Sequence, residues 1–195
     1  MRALTEKEKA IVLRLTKDFT AYFNARSLSK QVGMSPRGAL KALKFLEENK
    51  IVESKRIGRA LIYRLTFNDY ACELASLFLF EEARTNASRW VNEFEQFKLA
   101  DALILFGSVL RTQKYNDLDL LILTDKKNHS ALNKQVLEKN SILLKPIHPI
   151  WQLRSDLEKN IRKRDPVLLE IIKTGFVIKG QHIIMEVLSN AAGFE

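Results

Sequence analysis

The sequence predicts an α+β chain: a basic helical module ending in a hairpin, a long connecting helix, then a mixed sheet flanked by helices. Three observations predict it. Of the 32 Lys and Arg residues, 15 lie within residues 1–66 against 6 of the 23 Asp and Glu, so the formal net charge of +9 sits in the first third and the remainder is balanced. The same third carries apolar stripes at helical spacing followed by two short extended runs. Further on, Ala102-Leu103-Ile104-Leu105-Phe106 leads into Gly107-Ser108, and Leu120-Leu121-Ile122-Leu123 leaves Asp117-Leu118-Asp119, the pattern of buried strands bounded by polar turns.

Taken in order, Thr5 followed three residues later by Glu8 is a capping box, and Ala10, Ile11, Leu13 and Leu15 supply the first helix with a core face. A second short helix is expected over Ser27–Val32, with a turn at Gly33-Met34. Ser35 then caps a third helix with Pro36 at its first position, and Ala39, Leu40, Leu43 and Leu46 form its predicted inner stripe. Arg37, Lys41 and Lys44 fall on the opposite face. Ile51–Arg56, Ile57-Gly58-Arg59 and Ala60–Thr66 read as a β-hairpin with Lys55, Arg56 and Arg59 near its tip.

This stretch resembles a winged helix-turn-helix over about residues 4–67, a module common in prokaryotic regulators. The resemblance implies double-stranded DNA as partner. Ser35, Arg37, Lys41 and Lys44 would meet the major groove from the third helix, and Lys55, Arg56 and Arg59 would meet the backbone or minor groove from the wing. The concentrated positive charge agrees, because cations that neutralise phosphates release condensed counterions.

Residues 68–98 contain neither Pro nor Gly, and Leu74, Ala75, Phe78, Ala83, Ala87, Trp90, Val91, Phe94 and Phe97 recur near helical spacing. One long linker helix is expected. Its aromatic load argues that it packs on both modules or against a second copy, and a homodimer suits a reader of paired DNA half-sites.

In the last part, residues 99–195, Asp117 and Asp119 project from one face of an extended segment. Like charges held that close call for a cation between them, and Gly107-Ser108 offers a turn able to hold phosphate oxygens. Gly107-Ser108, Arg111 three further on, a short loop, and Asp117-Leu118-Asp119 inside a strand together resemble the polymerase-beta-like nucleotidyltransferases over roughly residues 99–180. The closing Asp165-Pro166 helix, Gly175 and the strand Phe176-Val177-Ile178 extend the resemblance. It implies Asp117 and Asp119 as catalytic metal ligands and Gly107, Ser108 and Arg111 as the phosphate site. It further implies Mg²⁺, with Mn²⁺ as substitute, and a nucleoside triphosphate as ligand or substrate.

Departures from that pattern weaken the case for catalysis. A third carboxylate is expected on a later strand, here Ser141–His148, which has no acid; Lys145 or His148 stands in its place. Two readings of His148 remain, a metal or phosphate ligand and a histidine held at a strand end between Pro146 and Pro149, and the prolines favour the second. Asp125 lies about six strand residues from Asp119, roughly 20 Å, and substitutes poorly. Helices are expected near Ser130–Asn140 and from Trp151 to about Arg164, with Arg162-Lys163-Arg164 as a basic helix end.

The expected function is a DNA-binding transcriptional regulator whose second module binds nucleotide and metal with weak or no catalysis. The alternative is an active nucleotidyltransferase acting on a protein, a small molecule or an RNA end. A single cysteine, Cys72, excludes an intrachain disulfide and suits the cytoplasm, and no window has the length of a membrane span.

Overall fold

In the computed structural model, residues 2–112 and 114–192 are described. The chain is α+β and divides into two compact units, Met1–Phe78 and Leu79–Glu195.

The first unit contains α1 (Glu6–Lys17), α2 (Ala25–Gln31), α3 (Pro36–Glu48) and the antiparallel pair β1 (Val52–Ile57) and β2 (Ala60–Leu65). The expected capping box is present: Thr5 Oγ1 accepts from the Glu8 N–H and Glu8 accepts from the Thr5 N–H. The second helix starts earlier than expected because Asn24 and Ser27 form a reciprocal box of their own. Ser35 accepts from the Gly38 N–H, with Pro36 opening the helix as its position in the sequence predicts.

The buried stripe of α3 is Ala39, Ala42, Leu43 and Leu46, while Leu40 lies on the exposed face. Its neighbours in sequence explain the correction: with Leu43 and Leu46 fixed inward, Ala42 completes a narrower face than one including Leu40. Ile11, Val12, Leu15, Leu28, Ile51, Tyr63 and Leu65 fill the rest of this core. Phe23 bridges antiparallel to Tyr63, adding a third short extended segment beside the hairpin. Gly58, at φ 58°, takes the first central position of the two-residue turn, where a positive φ is required.

The expected single linker helix is two. α4 runs Asp69–Asn86, and the chain bends at Ala87 (φ −137°, ψ 27°) into α5 (Ser88–Glu93). No Pro or Gly causes the bend. Packing does: Trp90, Phe94 and Phe97 are buried beside the sheet, with Trp90–Phe94 and Phe94–Phe97 ring centroids 6.2 Å and 5.3 Å apart. Burial of three aromatics outweighs the propensity of an uninterrupted helix.

The second unit holds a four-stranded sheet in the order β5-β4-β3-β6, made by β3 (Ala102–Phe106), β4 (Leu118–Leu123), β5 (Ile147–Gln152) and β6 (Phe176–Lys179). β3 is antiparallel to both β4 and β6, and β4 runs parallel to β5 through the crossover helix α6 (Lys126–Asn140). Leu103, Leu105, Leu118, Leu120, Ile122 and Ile147 join Trp90, Phe94, Phe97, Leu132 and Val136 in one core. The alternate residues Ile104, Leu121 and Leu123 are equally buried, on the face where α8 (Pro166–Thr174) and α9 (Gln181–Ala192) meet β3. Burial on both faces is why β3 and β4 read as continuous apolar runs rather than alternating ones.

The strand expected at Ser141–His148 begins only at Ile147. Ile142 and Leu144 are 79% and 98% exposed in the connection that precedes it. Asn140 sets the true start, its Oδ1 accepting from the Ile147 N–H at 2.7 Å. Pro149 is tolerated because β5 is an edge strand. The helix expected from Trp151 starts instead at Arg154, as α7 (Arg154–Arg162), since Trp151 and Gln152 pair with Ile122 and Leu123.

Candidate functional site

Two surfaces carry the sequence-predicted site residues, one in each unit. In the first unit Ser35, Arg37, Lys41 and Lys44 are all exposed on α3 and its cap, away from the buried stripe. Arg37, Leu40, Lys41 and Lys44 follow the i, i+3, i+4, i+7 spacing of one helix face. Leu40, 39% exposed, thus lies among the three cations rather than in the core. Lys55, Arg56 and Arg59 are exposed on the hairpin and its turn. The scaffold beneath is fixed by a bidentate pair between Arg2 and Glu8, with hydrogen bonds of 2.5 and 2.7 Å. That pairing holds the Glu8 carboxyl below the usual range against the opposing effect of burial.

In the second unit Asp117 and Asp119 stand at the start of β4, two residues apart and on one face, as expected. The parallel register places His148 of β5 directly beside Asp119, with Nδ1 3.4 Å from Asp119 Oδ1. Asp117, Asp119 and His148 each present a ligand atom within 4.8 Å of the others. His148 is exposed at the second position of β5, between Pro146 and Pro149, so the strand-end placement and the proximity to Asp119 hold together. Lys145 lies in the exposed connection before β5 and is not the residue opposite Asp119. The signal that separates the two is register: once β4 and β5 are aligned as parallel neighbours, the residue facing Asp119 can be read off, but sequence spacing alone does not fix that alignment.

Gly107 completes this cluster. It follows Phe106, the antiparallel partner of Asp119, with φ 81° and ψ −151°, a conformation open essentially to glycine alone. A Cβ added there would lie 2.0 Å from Asp119 Oδ2 and 2.9 Å from its Cγ. The hydrogen at this position is therefore what leaves room for the carboxylate. Ser108 opens a single 3-10 turn (Ser108–Leu110) and is exposed, as is Arg111 just beyond it. The structure thus gathers Asp117, Asp119 and Gly107 around one point and brings in His148. Asp125 instead sits at the far end of β4, flanking α6 and paired with Lys127 at 3.5 Å.

The chemistry available is that of two carboxylates and an imidazole, all able to ligate a divalent cation, beside a turn whose exposed hydroxyl and guanidinium suit anionic oxygens. A separate cavity of about 430 Å³ lies at the opposite, carboxyl ends of β4 and β5, lined by Thr124, Lys126, His129, Trp151, Gln152 and Asp156 among others. Among the described residues, no helix is long and apolar enough to cross a membrane.

No family model and no curated protein matches the chain. Among solved structures it is similar to a double mutant of Lactococcus lactis ZitR, with 22% identity, 50% of this chain and 68% of that chain covered, and a TM-score of 0.38. A single mutant of the same protein gives 15% identity, coverage of 73% and 77%, and a TM-score of 0.35. At such scores the likeness carries no argument.

Proposed function

We propose that the chain is a DNA-binding regulator whose second unit binds a divalent cation and, through it, the phosphates of a nucleotide. The observation that carries the first part is the outward face of α3: Arg37, Lys41 and Lys44 exposed on one side of a helix whose other side is core. Such a helix, second of a helix-turn-helix pair, enters the major groove. Arg37 near its N-terminus reaches base edges, Lys41 and Lys44 neutralise phosphates, and Leu40 offers an apolar contact of the kind thymine methyl groups accept. Lys55, Arg56 and Arg59 on the hairpin extend the basic surface to the flanking backbone.

For the second unit, the grouping of Asp117, Asp119 and His148 supports cation binding, and the neighbouring Gly107-Ser108 turn and Arg111 support a phosphate ligand. Asp117, Asp119 and His148 would hold Mg²⁺ or Mn²⁺ there, and the ion would supply positive charge against phosphate oxygens. With a histidine in place of a third carboxylate, two-metal transfer chemistry lacks an anionic ligand, so binding rather than turnover is the better-supported role.

Gel-shift titration on a mixed-sequence DNA duplex tests the first part. Wild type is expected to bind, and Arg37→Ala with Lys41→Ala to weaken it by tenfold or more, since removing a charge-assisted hydrogen bond to DNA costs on the order of 1 kcal/mol or above. Equal affinity of the double variant and wild type would sink the assignment of α3. For the second part, efficient nucleotidyl transfer from a labelled nucleoside triphosphate would favour the enzyme instead.

A further inference from the structure

The donor set at the start of β4 is mixed, and this bears on which cation the site takes. Resting on the reading of Asp117, Asp119 and His148 as a cation site, we propose that His148 makes it selective for first-row transition ions such as Mn²⁺ and Zn²⁺ over Mg²⁺. Two features support the selectivity, and a third supports the site itself.

First, the imidazole is opposite Asp119 by strand register, not by chance rotamer choice, so the backbone itself delivers a nitrogen donor. Its Nδ1 stands 3.4 Å from Asp119 Oδ1. Two donors sharing a zinc ion at about 2.1 Å each, in tetrahedral arrangement, lie about 3.4 Å apart, so this pair needs little adjustment to hold Zn²⁺ together.

Second, the donor chemistry discriminates. Mg²⁺ is hard, gives up its water reluctantly and takes oxygen ligands, whereas imidazole is a good ligand for Zn²⁺ and is accepted by Mn²⁺ more readily than by Mg²⁺.

Third, the site has a built wall. Gly107 leaves the space that Asp119 Oδ2 occupies, at a backbone conformation other residues rarely adopt. A carboxylate merely resting on the surface would not require that.

The test is isothermal titration of the full chain with Mg²⁺, Mn²⁺ and Zn²⁺ separately, for wild type, Asp119→Asn, His148→Ala and His148→Asp, joined to pulsed EPR of bound Mn²⁺. Expected are Mn²⁺ and Zn²⁺ affinities at least about tenfold above that for Mg²⁺, with an imidazole-nitrogen modulation in the EPR signal. His148→Ala should lose that modulation and most of the preference, and His148→Asp should raise Mg²⁺ affinity and narrow the ratio. Cation binding that Asp119→Asn abolishes but His148→Ala leaves unchanged would overturn the selectivity while the cation site itself stands. Absence of binding by any of the three ions, or binding indifferent to Asp119→Asn, would overturn the site and the selectivity with it.

Discussion

Gly107→Ala tests whether the turn after β3 exists to house the Asp119 carboxylate. The perturbation has two parts. The backbone at φ 81°, ψ −151° would be strained by any side chain, at about 1–3 kcal/mol. The new methyl carbon would stand 2.0 Å from Asp119 Oδ2 and 3.1 Å from its Cβ, inside van der Waals contact, so the carboxylate must leave its position. Asp119 is paired through its backbone with Phe106 and flanked by fully buried Leu118 and Leu120, so the side chain must swing rather than the strand shift. Swinging moves Oδ1 away from His148 and breaks the grouping. Thermal unfolding should therefore show the second unit less stable by about 1–3 kcal/mol, and Mn²⁺ titration should show affinity reduced as much as in Asp119→Asn. Asp119→Asn removes the ligand without the strain, so it should lose the cation and keep the stability. Unchanged stability and unchanged cation affinity in Gly107→Ala would refute the reasoning.

Two further expectations concern the scaffold. Glu8→Gln keeps the α1 cap but removes the charged pair with Arg2, half-exposed on the arginine side, and should lower the unfolding temperature of the first unit at neutral pH. Because the folded carboxyl titrates below its ordinary value, this contribution is present above that value, about 4.3, and is lost as pH falls through the lower folded one. Wild type and variant unfolding temperatures should accordingly converge on acidification, and a gap that stays constant to about pH 2, below the ordinary carboxylate range, would contradict the pairing. Asn140→Ala removes the acceptor that starts β5 at Ile147, leaving that N–H unpartnered at a cost of about 1–3 kcal/mol. Since His148 is the next residue, cation affinity should fall also; full affinity in Asn140→Ala would show that β5 is positioned by its pairing with β4 alone.

Local signals are legible where a short stretch of chain decides the outcome. The caps at Thr5 and Ser35, Pro36 at the start of α3, the Gly58 hairpin turn and the buried strands around Asp119 follow from side chains within a few residues of each other. The carboxylate pair and Gly107 belong to that class. What sequence does not supply depends on distant partners. α4 ends at Asn86 because Trp90, Phe94 and Phe97 turn to the sheet, a packing choice with no local breaker. β5 starts at Ile147 rather than Ser141 because Asn140 captures its N–H, and exposed Ile142 and Leu144 imitate a buried strand. The placement of His148 beside Asp119 is hidden for the same reason, since it follows from the register of two parallel strands distant in sequence. Leu40 shows a different failure: helical spacing alone assigns every apolar residue to the core, whereas Leu40 is 39% exposed on the face that carries Arg37, Lys41 and Lys44.

DNA binding by the first unit is the claim on which the proposed function rests, and the salt dependence of duplex binding tests it most directly. Measured by fluorescence anisotropy between about 50 and 200 mM salt, the logarithm of the association constant should fall linearly with the logarithm of salt concentration. Engagement of phosphates by Lys41, Lys44, Lys55, Arg56 and Arg59 predicts a slope of about −4.5, at about −0.9 per phosphate neutralised, reduced by roughly one in Arg37→Ala with Lys41→Ala because Arg37 is assigned to base edges. No binding at the low-salt end, or a slope shallower than about −1, would contradict it.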